Sequence, residues 1–478
     1  MNSDAMSYHT SRRRFLLSTC GAFGAGLVGA HSQQAGDNSK AQVFLAFVEP
    51  WTDPSRDMVV SWVSDSAEAV VMEYRAPGAA TWNRVTSRRT RPFPVLPGHH
   101  IHSCLIEGLA VDSIYEIRWP GVEQIRKFKT AARGNVKVSF LSDYQNFEFG
   151  PGSLLEKFGK VVAAEAPDLL VLVGDYVNDD GRMDEESSRH WFAFLRGMAE
   201  YYHTRDGALV PMVALTGNHE GINAQRTSNA LGNGDGTIGQ IAEIFSWSYD
   251  PQHPLRHCNS AATLSIGMDF FLISLETDHT EKLEEQLNWF SGQLAQNAAK
   301  HRHVVVAGHS PAFYGMGKFD FNPISPGRRM RNLIWPAMAA HASKIRFYIT
   351  GHEHILAITD KLRMDYDPSL SPAENDSRWA LDPQRGVCQL GSGPWGAHVL
   401  DVDPQRAGAV SSIDGSTKML AAMGLDFEKR TLQIHGSGIT NDVAKAHSIW
   451  LTRFDAEGFA ARAVGDDGRT FYQLGEKL

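Results

Sequence analysis

Residue types that bind metal ions follow five apolar runs in this chain of 478 residues, and a glycine precedes four of the five groups. In chain order they are Asp143, Asp175, Asn218, His219, His309, His352 and His354. Oxygen and imidazole donors without thiolates suit ions such as Mn, Fe or Zn. A carboxylate can bridge two such ions ~3.5–4 Å apart, and the pair can hold a phosphate group and provide hydroxide at neutral pH. The residue types therefore predict a site for two metal ions with hydrolytic chemistry.

The elements that must position these donors are predicted to be buried strands. In "IRFYITGHEHI", Ile345, Phe347 and Ile349 alternate with Arg346, Tyr348 and Thr350, and a period of two indicates a strand. Such strands alternate with helical patterns, among them "LLEKFGKVVAAEA" and "EKLEEQLNWFSGQL". This alternation is typical of an α/β domain, in which ligands bind outside the carboxyl ends of the strands. We therefore expect the donors to converge in one domain, residues 135–478, which includes a strand-rich C-terminal part.

A different pattern covers residues 41–133, where short alternating strands are separated by Asp, Ser, Pro and Gly. Examples are "MVVSWV", "AVVMEYR" and "HIHSCLIEGL". Strands at this spacing predict a β-sandwich, with Tyr115 as its tyrosine corner. His99, His100 and His102 are expected to lie at its surface rather than to bind a metal ion, because strand alternation separates His99 from the other two.

Residues 1–35 have the pattern of an export signal. "SRRRFLLSTCGAFGAGLVGA" joins Arg12, Arg13 and Arg14 to a weakly apolar run that ends in small residues, as secretory signals do. Paired arginines are typical of the twin-arginine route, so the twin-arginine export machinery is a predicted partner and the location is predicted to be periplasmic or secreted. The apolar run is short of the ~20 residues that span a bilayer, so no permanent membrane anchor is expected. A basic, disordered terminus is the alternative.

The composition is that of a globular protein, since 42% of the residues are hydrophobic and 21% are charged. A net charge of −8, with no long basic run after the N-terminus, argues against binding to a nucleic-acid backbone. The four cysteines fit neither a zinc motif nor a disulfide framework, and Cys20 lies in the predicted signal. For Cys104, Cys258 and Cys388, one disulfide bridge and buried free thiols stay equally open.

The ordered set Asp143, "GD", "GNHE", "GH" and "GHEH" resembles the signature of the calcineurin-like metallophosphoesterase superfamily. The β-sandwich ahead of it is similar to the fibronectin-type-III-like domain of purple acid phosphatases. The resemblance implies a four-layer α/β/β/α metallophosphoesterase sandwich preceded by an all-β fibronectin-III-like sandwich. "SDYQNFEFG" and "DLLVLVGDYV" also faintly resemble the alkaline phosphatase D family, which uses twin-arginine export.

The same resemblance assigns roles to the donors. Asp175 is implied as the bridge between two metal ions. The other implied ligands are Asp143 and His354 for the first ion, and Asn218, His309 and His352 for the second. His219 is expected to stabilise the transition state or to protonate the leaving oxygen. Glu220 is expected to orient His219, with a solvated turn carboxylate as the alternative.

Two positions depart from the superfamily pattern. Gln145 stands where proteins of the Asp-x-His type have a histidine, and Asn178 stands where purple acid phosphatases have a tyrosine. Both are candidate ligands or polar neighbours of the ligands. Without the tyrosinate, a ferric ion would leave more net charge in a partly desolvated pocket. We therefore expect two divalent ions (Mn, Fe or Zn) and no purple colour, unless Tyr144 or Tyr176 supplies the phenolate.

Together these features predict a secreted dinuclear metal-dependent phosphoesterase that hydrolyses phosphate monoesters of small molecules by attack of a metal-bound hydroxide. A phosphodiesterase or nucleotidase of the same fold stays open, because substrate choice depends on loops such as residues 312–331. There, Lys318, Arg328 and Arg329 are candidate substrate contacts, with solvated surface as the alternative. A non-catalytic metal-bearing binding protein at the cell surface is the alternative from another class. His219 argues against it, because a structural metal site needs no extra histidine beside its ligands.

Overall fold

The computed structural model describes residues 42–146, 148–178, 185–222, 237–238, 241–246, 261–277, 283–312, 326–354, 356–359, 361–371, 374–375, 378–398 and 447–475. The predicted signal at residues 1–35 lies outside them, as do Cys258, Lys318 and the side chain of Arg328. Among the helices of the described residues, none is long and apolar enough to cross a membrane.

Residues 43–129 form antiparallel strands in two sheets around one apolar core, and the second sheet also takes in a short parallel strand from later in the chain. The first sheet has the order β1 (Val43–Pro50), β2 (Met58–Ser64), β6 (His100–Ile106) and β5 (Arg89–Pro92). The second has the order β11 (Ala208–Leu209), β8 (Arg126–Lys129), β7 (Ile114–Arg118), β3 (Val71–Arg75) and β4 (Asn83–Thr86). The Tyr115 hydroxyl accepts a hydrogen bond from the Ala110 amide at 2.9 Å, the backbone contact of a tyrosine corner. The structure thus agrees with the all-β character predicted for this part, and the fibronectin-type-III class stays a prediction.

One expectation for this region is wrong, because His102 is buried and not at the surface. Its ring bonds to Ser64 Oγ at 2.8 Å and to Thr90 Oγ1 at 3.0 Å. It also stacks on Trp62, with ring centroids 5.4 Å apart. Strand β6 places His102 on the same face as Cys104, which belongs to the apolar core. Burial is possible because the two hydroxyl groups satisfy both ring nitrogens.

Two six-stranded sheets build most of the remaining described chain. The first has the order β12 (Met212–Ala214), β10 (Leu169–Leu172), β9 (Asn135–Leu141), β23 (Ser448–Asp455), β24 (Phe459–Gly465) and β25 (Thr470–Gly475). The second has the order β15 (Ala262–Ile266), β16 (Phe270–Ser274), β17 (His303–Ala307), β18 (Ile345–Thr350), β22 (Gln389–Gly391) and β19 (Ala357–Ile358). Two short ribbons pair β13 (Gly221–Ile222) with β14 (Thr237–Ile238) and β20 (Leu362–Met364) with β21 (Trp379–Leu381).

Helices alternate with these strands, as the sequence predicts. They are α1 (Leu154–Glu165), α2 (Glu185–Tyr201), α3 (Ile241–Ile244), α4 (Leu283–Asn297), α5 (Pro326–Arg329), a π-helical turn (Met330–Ile334) and α6 (Trp335–Ala339). Helix α1 begins at Ser153, whose Oγ accepts the amide of Glu156 and so satisfies one of the unpaired N–H groups of the first turn. The result is a mixed α/β architecture consistent with a metallophosphoesterase fold.

The strands that carry the donor motifs are buried on both faces. On one side of β18, Phe347 meets Phe140 of β9, with ring centroids 5.8 Å apart, in a core that both six-stranded sheets share. On the other side, Tyr348 joins a second core with residues of α4 and α6, including Phe290 and Trp335. From Phe347 to Ile349 the strand alternates between the two cores, whereas Ile345 joins the second core, and Arg346 alone in this strand is partly exposed.

The β-sandwich and the larger α/β part share a continuous apolar contact. In β1, Ala46 and Val48 belong to the sandwich core, whereas Leu45 and Phe47 belong to the core of the α/β part. In addition, β11 comes from the α/β part but pairs with β8 in the second sheet of the sandwich. The first sheet of the sandwich is therefore buried on both faces, unlike a module joined by a flexible linker.

Candidate metal centre

Five strands from the two six-stranded sheets bring their carboxyl ends to one place. In the first sheet, β12, β10 and β9 are parallel neighbours, and in the second, β17 and β18 are parallel. The residues that follow these five strands are Asp143, Asp175, Asn218, His309 and His352. The structure thus brings together residues that are far apart in the sequence, at the edge where α/β sheets bind ligands.

One half of the centre is compact. Asn218 Oδ1 lies 2.7 Å from His352 Nδ1 and 3.1 Å from His309 Nε2. His309 Nε2 lies 3.1 Å from Asp175 Oδ2. Metal–donor bonds of ~2.1 Å place neighbouring donors at right angles ~3.0 Å apart, so these separations fit a single ion. Within the described residues, Asp175, His309 and His352 also form a buried group whose ligand atoms lie within 4.8 Å of one another.

The other half is looser and contains Asp143 and His354. His354 Nε2 lies 3.4 Å from Asp143 Oδ1. Both oxygens of Asp143 accept the backbone amide of His352, at 3.0 and 2.9 Å, which ties the two halves together. Gln145 donates its amide Nε2 to Asp175 Oδ2 at 3.0 Å. The amide that replaces the family's histidine therefore contacts the predicted bridging carboxylate.

Backbone carbonyl groups orient two of the imidazoles. Nδ1 of His309 donates to the carbonyl of Val173 at 2.8 Å, and Nδ1 of His354 donates to the carbonyl of His398 at 3.1 Å. Each ring is thereby held with Nε2 facing the carboxylates. Ring orientation by a second hydrogen bond is the usual arrangement around metal-binding histidines.

Sequence reasoning missed the contribution of the segment "GSGPWGAH". The amides of Gly396 and Ala397 donate to the carbonyl of Asp143 at 3.1 and 2.9 Å, and His398 supplies the carbonyl that orients His354. The sequence did contain a signal for this segment, a glycine-rich run that directly follows the apolar residues of β22. Because β22 is parallel to β18, the run lies at the same edge of the sheet as the donor motifs.

The electrostatics favour a cation in this pocket. Burial would lower the pKa of His309, but the charge of Asp175 reverses this effect and raises that pKa to about 9. Burial raises the pKa of Asp175, and the neighbouring charges of His309 and His219 more than offset it, so the pKa falls below its ordinary range. Asp175 therefore stays ionised and attracts a cation, and a bound metal ion would displace the proton of His309, because the deprotonated imidazole is the form that binds metal ions.

The donor loops are held in unusual backbone conformations. Five donor or near-donor residues have positive φ angles, namely Asp143 (59°), Gln145 (42°), Asp175 (55°), His352 (75°) and His354 (52°). Among the other described non-glycine residues, only Asp112 and Ala166 share this property. Such conformations cost of order 1–3 kcal/mol each and cluster at functional sites. The concentration of strain here is an independent sign that the loops are shaped for a ligand.

Glu220 stabilises one of these loops from within. Its Oε2 accepts the amides of Asp175 at 2.8 Å and Gly217 at 2.9 Å, and its Oε1 accepts the amide of Val177 at 3.1 Å. The residue is fully buried, so it is not a solvated turn carboxylate. These contacts fix the turn that presents Asp175, and the orientation of His219 by Glu220 stays a prediction.

Two of the motif glycines are required by close approach. A Cβ atom on Gly217 would overlap Asp175 Oδ1, and one on Gly351 would overlap Ser142 Oγ. Since these neighbours belong to the donor loops, a larger residue at either position would displace a ligand.

His219 lies beside the donors with part of its side chain open to solvent. Its backbone amide donates to Asp175 Oδ1 at 2.9 Å, and its Nε2 lies 3.9 Å from Asp175 Oδ2. The side chain is 21% exposed. A substrate held at the carboxylates would therefore be within reach of this imidazole.

The two tyrosines near the donors pack their rings into the apolar core. Tyr144 is buried, and its hydroxyl donates to the carbonyl of Glu148 at 2.7 Å. Tyr176 is buried and stacks on Phe194, with centroids 5.1 Å apart. Asn178, at the position of the family's tyrosine, has a buried Oδ1 without a hydrogen-bond partner in the described part of the chain. Such an oxygen would be satisfied by a cation.

The remaining candidates are only partly described. Arg329 donates its Nε to Glu284 Oε1 at 3.2 Å, so it is held against α4. The other two candidate substrate contacts lie outside the described side chains. Cys104 and Cys388 are buried free thiols.

The sheets and the donor set are consistent with a metallophosphoesterase domain. Residues 136–356 match a family model described as calcineurin-like phosphoesterase. The match covers somewhat less than half of the chain and supports the superfamily predicted from the motifs, and with it a metal-dependent hydrolase. The purple-acid-phosphatase subtype stays a prediction.

Solved structures show more distant likenesses. The chain is 12% identical to GAP50, the anchor in the inner membrane complex of Plasmodium, with a TM-score of 0.41 over 72% of this chain and 88% of that one. It is 12% identical to a dimetal phosphatase from Danio rerio, with a TM-score of 0.37 over 71% of this chain and 98% of that one. At these TM-scores neither likeness informs the function. No curated protein matches the chain.

Proposed function

We propose that the protein is a dinuclear metal-dependent phosphoesterase that hydrolyses phosphate monoesters of small molecules. The observation that carries this proposal is the convergence of two carboxylates, an amide oxygen and three imidazoles at one sheet edge within the calcineurin-like segment. Asp143 and His354 would hold one ion, Asn218, His309 and His352 the other, and Asp175 would bridge them. These donors suit Mn, Fe or Zn.

The donor set fits the proposed ions on three grounds. The donor separations in the compact half match those around one ion, the His309 and His354 rings are oriented by backbone carbonyls, and Asp175 is held in its ionised form. When bound, a pair of divalent ions would polarise the phosphate and lower the pKa of a water molecule. Every other part of the reaction falls to the chain itself.

His219 is proposed to move the proton that the leaving group needs. Its Nε2 is near Asp175 but the ring remains partly exposed, so it can contact a substrate oxygen. A histidine in this position can donate a proton to the departing alcohol or stabilise charge on the phosphate. Glu220 and the amides it accepts would keep the Asp175 turn rigid during turnover.

The fit of the β-sandwich argues against the alternative of a non-catalytic binding protein that docks through this domain. The first sheet of the sandwich is buried on both faces, since Leu45 and Phe47 pack into the α/β part. Because the first sheet packs against the α/β part, only the second sheet of the β-sandwich could present a face to a partner. Phosphodiester and nucleotide substrates remain outcomes of the test below.

Three finer features belong to the same proposal. The α/β part is proposed to be the four-layer α/β/β/α sandwich of metallophosphoesterases, preceded by a fibronectin-III-like domain as in purple acid phosphatases. The N-terminal segment is proposed to direct twin-arginine export to the periplasm or the exterior, with its paired Arg12 and Arg13 as the support. The ions are proposed to be divalent, because Tyr144 and Tyr176 pack in the core.

A substrate panel tests the proposal. The protein, loaded in turn with Mn²⁺, Zn²⁺ or Fe²⁺, is assayed for release of phosphate from alkyl and aryl monoesters, for cleavage of a diester, and for nucleotide hydrolysis. We expect the highest kcat/KM for monoesters. Faster cleavage of a diester or a nucleotide would show that the substrates are not monoesters but that class. No turnover with any substrate and metal would favour the alternative of a non-catalytic binding protein.

A further inference from the structure

A cavity of about 640 Å³ lies at the junction of the β-sandwich and the α/β part, away from the metal centre. It is lined by residues of β1, β8 and α2 and by the connection from α2 to β11. None of the metal donors lines it. Its volume is in the range of small-molecule sites, which occur preferentially at domain interfaces.

Two exposed apolar side chains line the cavity. Phe44 and Ile125 are 44% and 45% exposed, and they are two of the three large hydrophobic residues that are exposed among those described. Both line the cavity, together with Phe192 and the buried Leu45 and Leu209. An apolar cluster of this kind costs free energy in water, and an apolar ligand body would remove that cost.

One positive charge in the cavity has no partner among the described residues. The guanidinium group of Arg126 makes no hydrogen bond or ion pair with any other part of the described structure. By contrast, Arg196 in the same cavity lies 3.8 Å from Glu200. Burial lowers the pKa of Arg126, which indicates that this charge has lost part of its hydration. A bound anion would replace that hydration, and a guanidinium binds carboxylate or phosphate through two parallel hydrogen bonds.

We propose that this cavity binds a small amphiphilic anion, with its apolar body against Phe44, Ile125 and Phe192 and its carboxylate or phosphate headgroup on Arg126. The site is separate from the metal centre and does not depend on the proposed reaction. The two headgroups share one chemistry, a pair of oxygens for the Arg126 fork, and the experiment separates them.

Calorimetric titration of the full chain tests the proposal. The probes are decanoate and decylphosphonate below their micelle concentrations, with decanol, decyltrimethylammonium and acetate as the uncharged, cationic and chain-free comparisons. Each titration is repeated with the Asp175→Asn protein, so that binding at the metal centre is separated from binding in the cavity. We expect one decanoate or decylphosphonate per chain, bound at least about tenfold more tightly than each comparison. The tighter of the two identifies the headgroup.

Variants assign the binding to this cavity. Arg126→Gln is expected to weaken binding of the anionic probe at least about tenfold, and Ile125→Glu is expected to abolish it. Arg84→Gln, an exposed arginine on β4 outside the cavity, is the matched control and should bind as the wild type does. Thermal unfolding of each variant checks its fold, and Asp175→Asn should bind the probe normally even if the proposed function fails.

Three results would overturn the proposal. They are the absence of saturable binding by either anion, equal binding of decanol or the cationic probe, and unchanged affinity in a folded Arg126→Gln protein. Where the first of these results is found, binding after deletion of residues 1–41 would assign the cavity to the chain's own N-terminal segment.

Discussion

The two halves of the proposed metal centre differ in how completely the chain has assembled them. In the half that contains Asn218, the donor atoms of Asn218, His309, His352 and Asp175 are linked by contacts of 2.7 to 3.1 Å, which is the spacing of donors around one metal ion. Around Asp143, the only imidazole contact is at 3.4 Å in the described residues, and an amide of Gln145 stands where an imidazole would complete the set. The compact half therefore carries its ligand geometry in the protein fold itself.

This difference has a chemical consequence. A preassembled set of donors loses little conformational freedom on binding, whereas an incomplete set binds more weakly. We therefore expect stepwise loading, with the Asn218 half filled first and the Asp143 half filled at higher metal concentration. Asp175 belongs to both halves and makes the second step depend on the first.

Asp175→Asn should have the largest effect, because it removes the charge that the two halves share. Two cations would then repel each other with less negative charge between them, and at least one should be lost. We expect a fall in kcat of about 10³-fold or more and fewer than two ions per chain by elemental analysis after dialysis. Asp466→Asn, a surface aspartate that pairs with Lys157, is the control. Full retention of both ions by Asp175→Asn would show that Asp175 is not the bridge.

His219→Ala should separate catalysis from metal binding. The ring lies 3.9 Å from Asp175 and is not in either set of close donor contacts, so metal content should stay near that of the wild type. The rate should fall by roughly 10²–10⁴-fold if the imidazole transfers a proton. The loss should be smaller for a nitrophenyl ester than for an alkyl ester, since nitrophenolate needs less protonation. Equal losses for both esters would contradict the role as general acid.

Glu220→Gln should destabilise the loop of the compact half without altering the side chain of a proposed metal ligand. A glutamine can no longer accept all three amides of Asp175, Val177 and Gly217, and one N–H is left facing another. We expect the free energy of unfolding to fall by about 1–3 kcal/mol, measured by denaturant titration of the metal-free protein. Glu457→Gln on the exposed turn before β24 should leave it unchanged. A metal-free stability equal to that of the wild type would show that the loop does not need this carboxylate.

Much of this arrangement could be predicted from the sequence, because it depends on local patterns. An apolar run followed by Gly and a donor residue predicts both a buried strand and a donor at its carboxyl end, as at Asp175 and His309. What could not be predicted depends on distant backbone atoms. The carbonyl of Val173 and the amides of Gly396 and Ala397 carry no side-chain signature. The prediction of a surface position for His102 was wrong for a similar reason, since its burial depends on hydroxyl groups from the neighbouring strands β2 and β5.

Gln145→His tests the incomplete half with the smallest change. The backbone at this position is left-handed, as it is at His352 and His354, so a histidine can occupy it. An imidazole in place of the amide should increase the affinity for the more weakly bound ion by about 10-fold. The two loading steps should then occur at more similar metal concentrations. Asn146→His, one residue along, is the control. A weaker second ion in the Gln145→His protein would mean that the amide already serves better than an imidazole.

The central claim is that two unequal halves bind two ions and that both are needed. Its most direct test is a titration of metal-depleted protein with Mn²⁺, in which bound ions are counted while hydrolysis of nitrophenyl phosphate is followed. Two ions per chain should bind in separate steps, and turnover should rise with the second. Saturation at one ion per chain, or full turnover once the first ion is bound, would contradict the account.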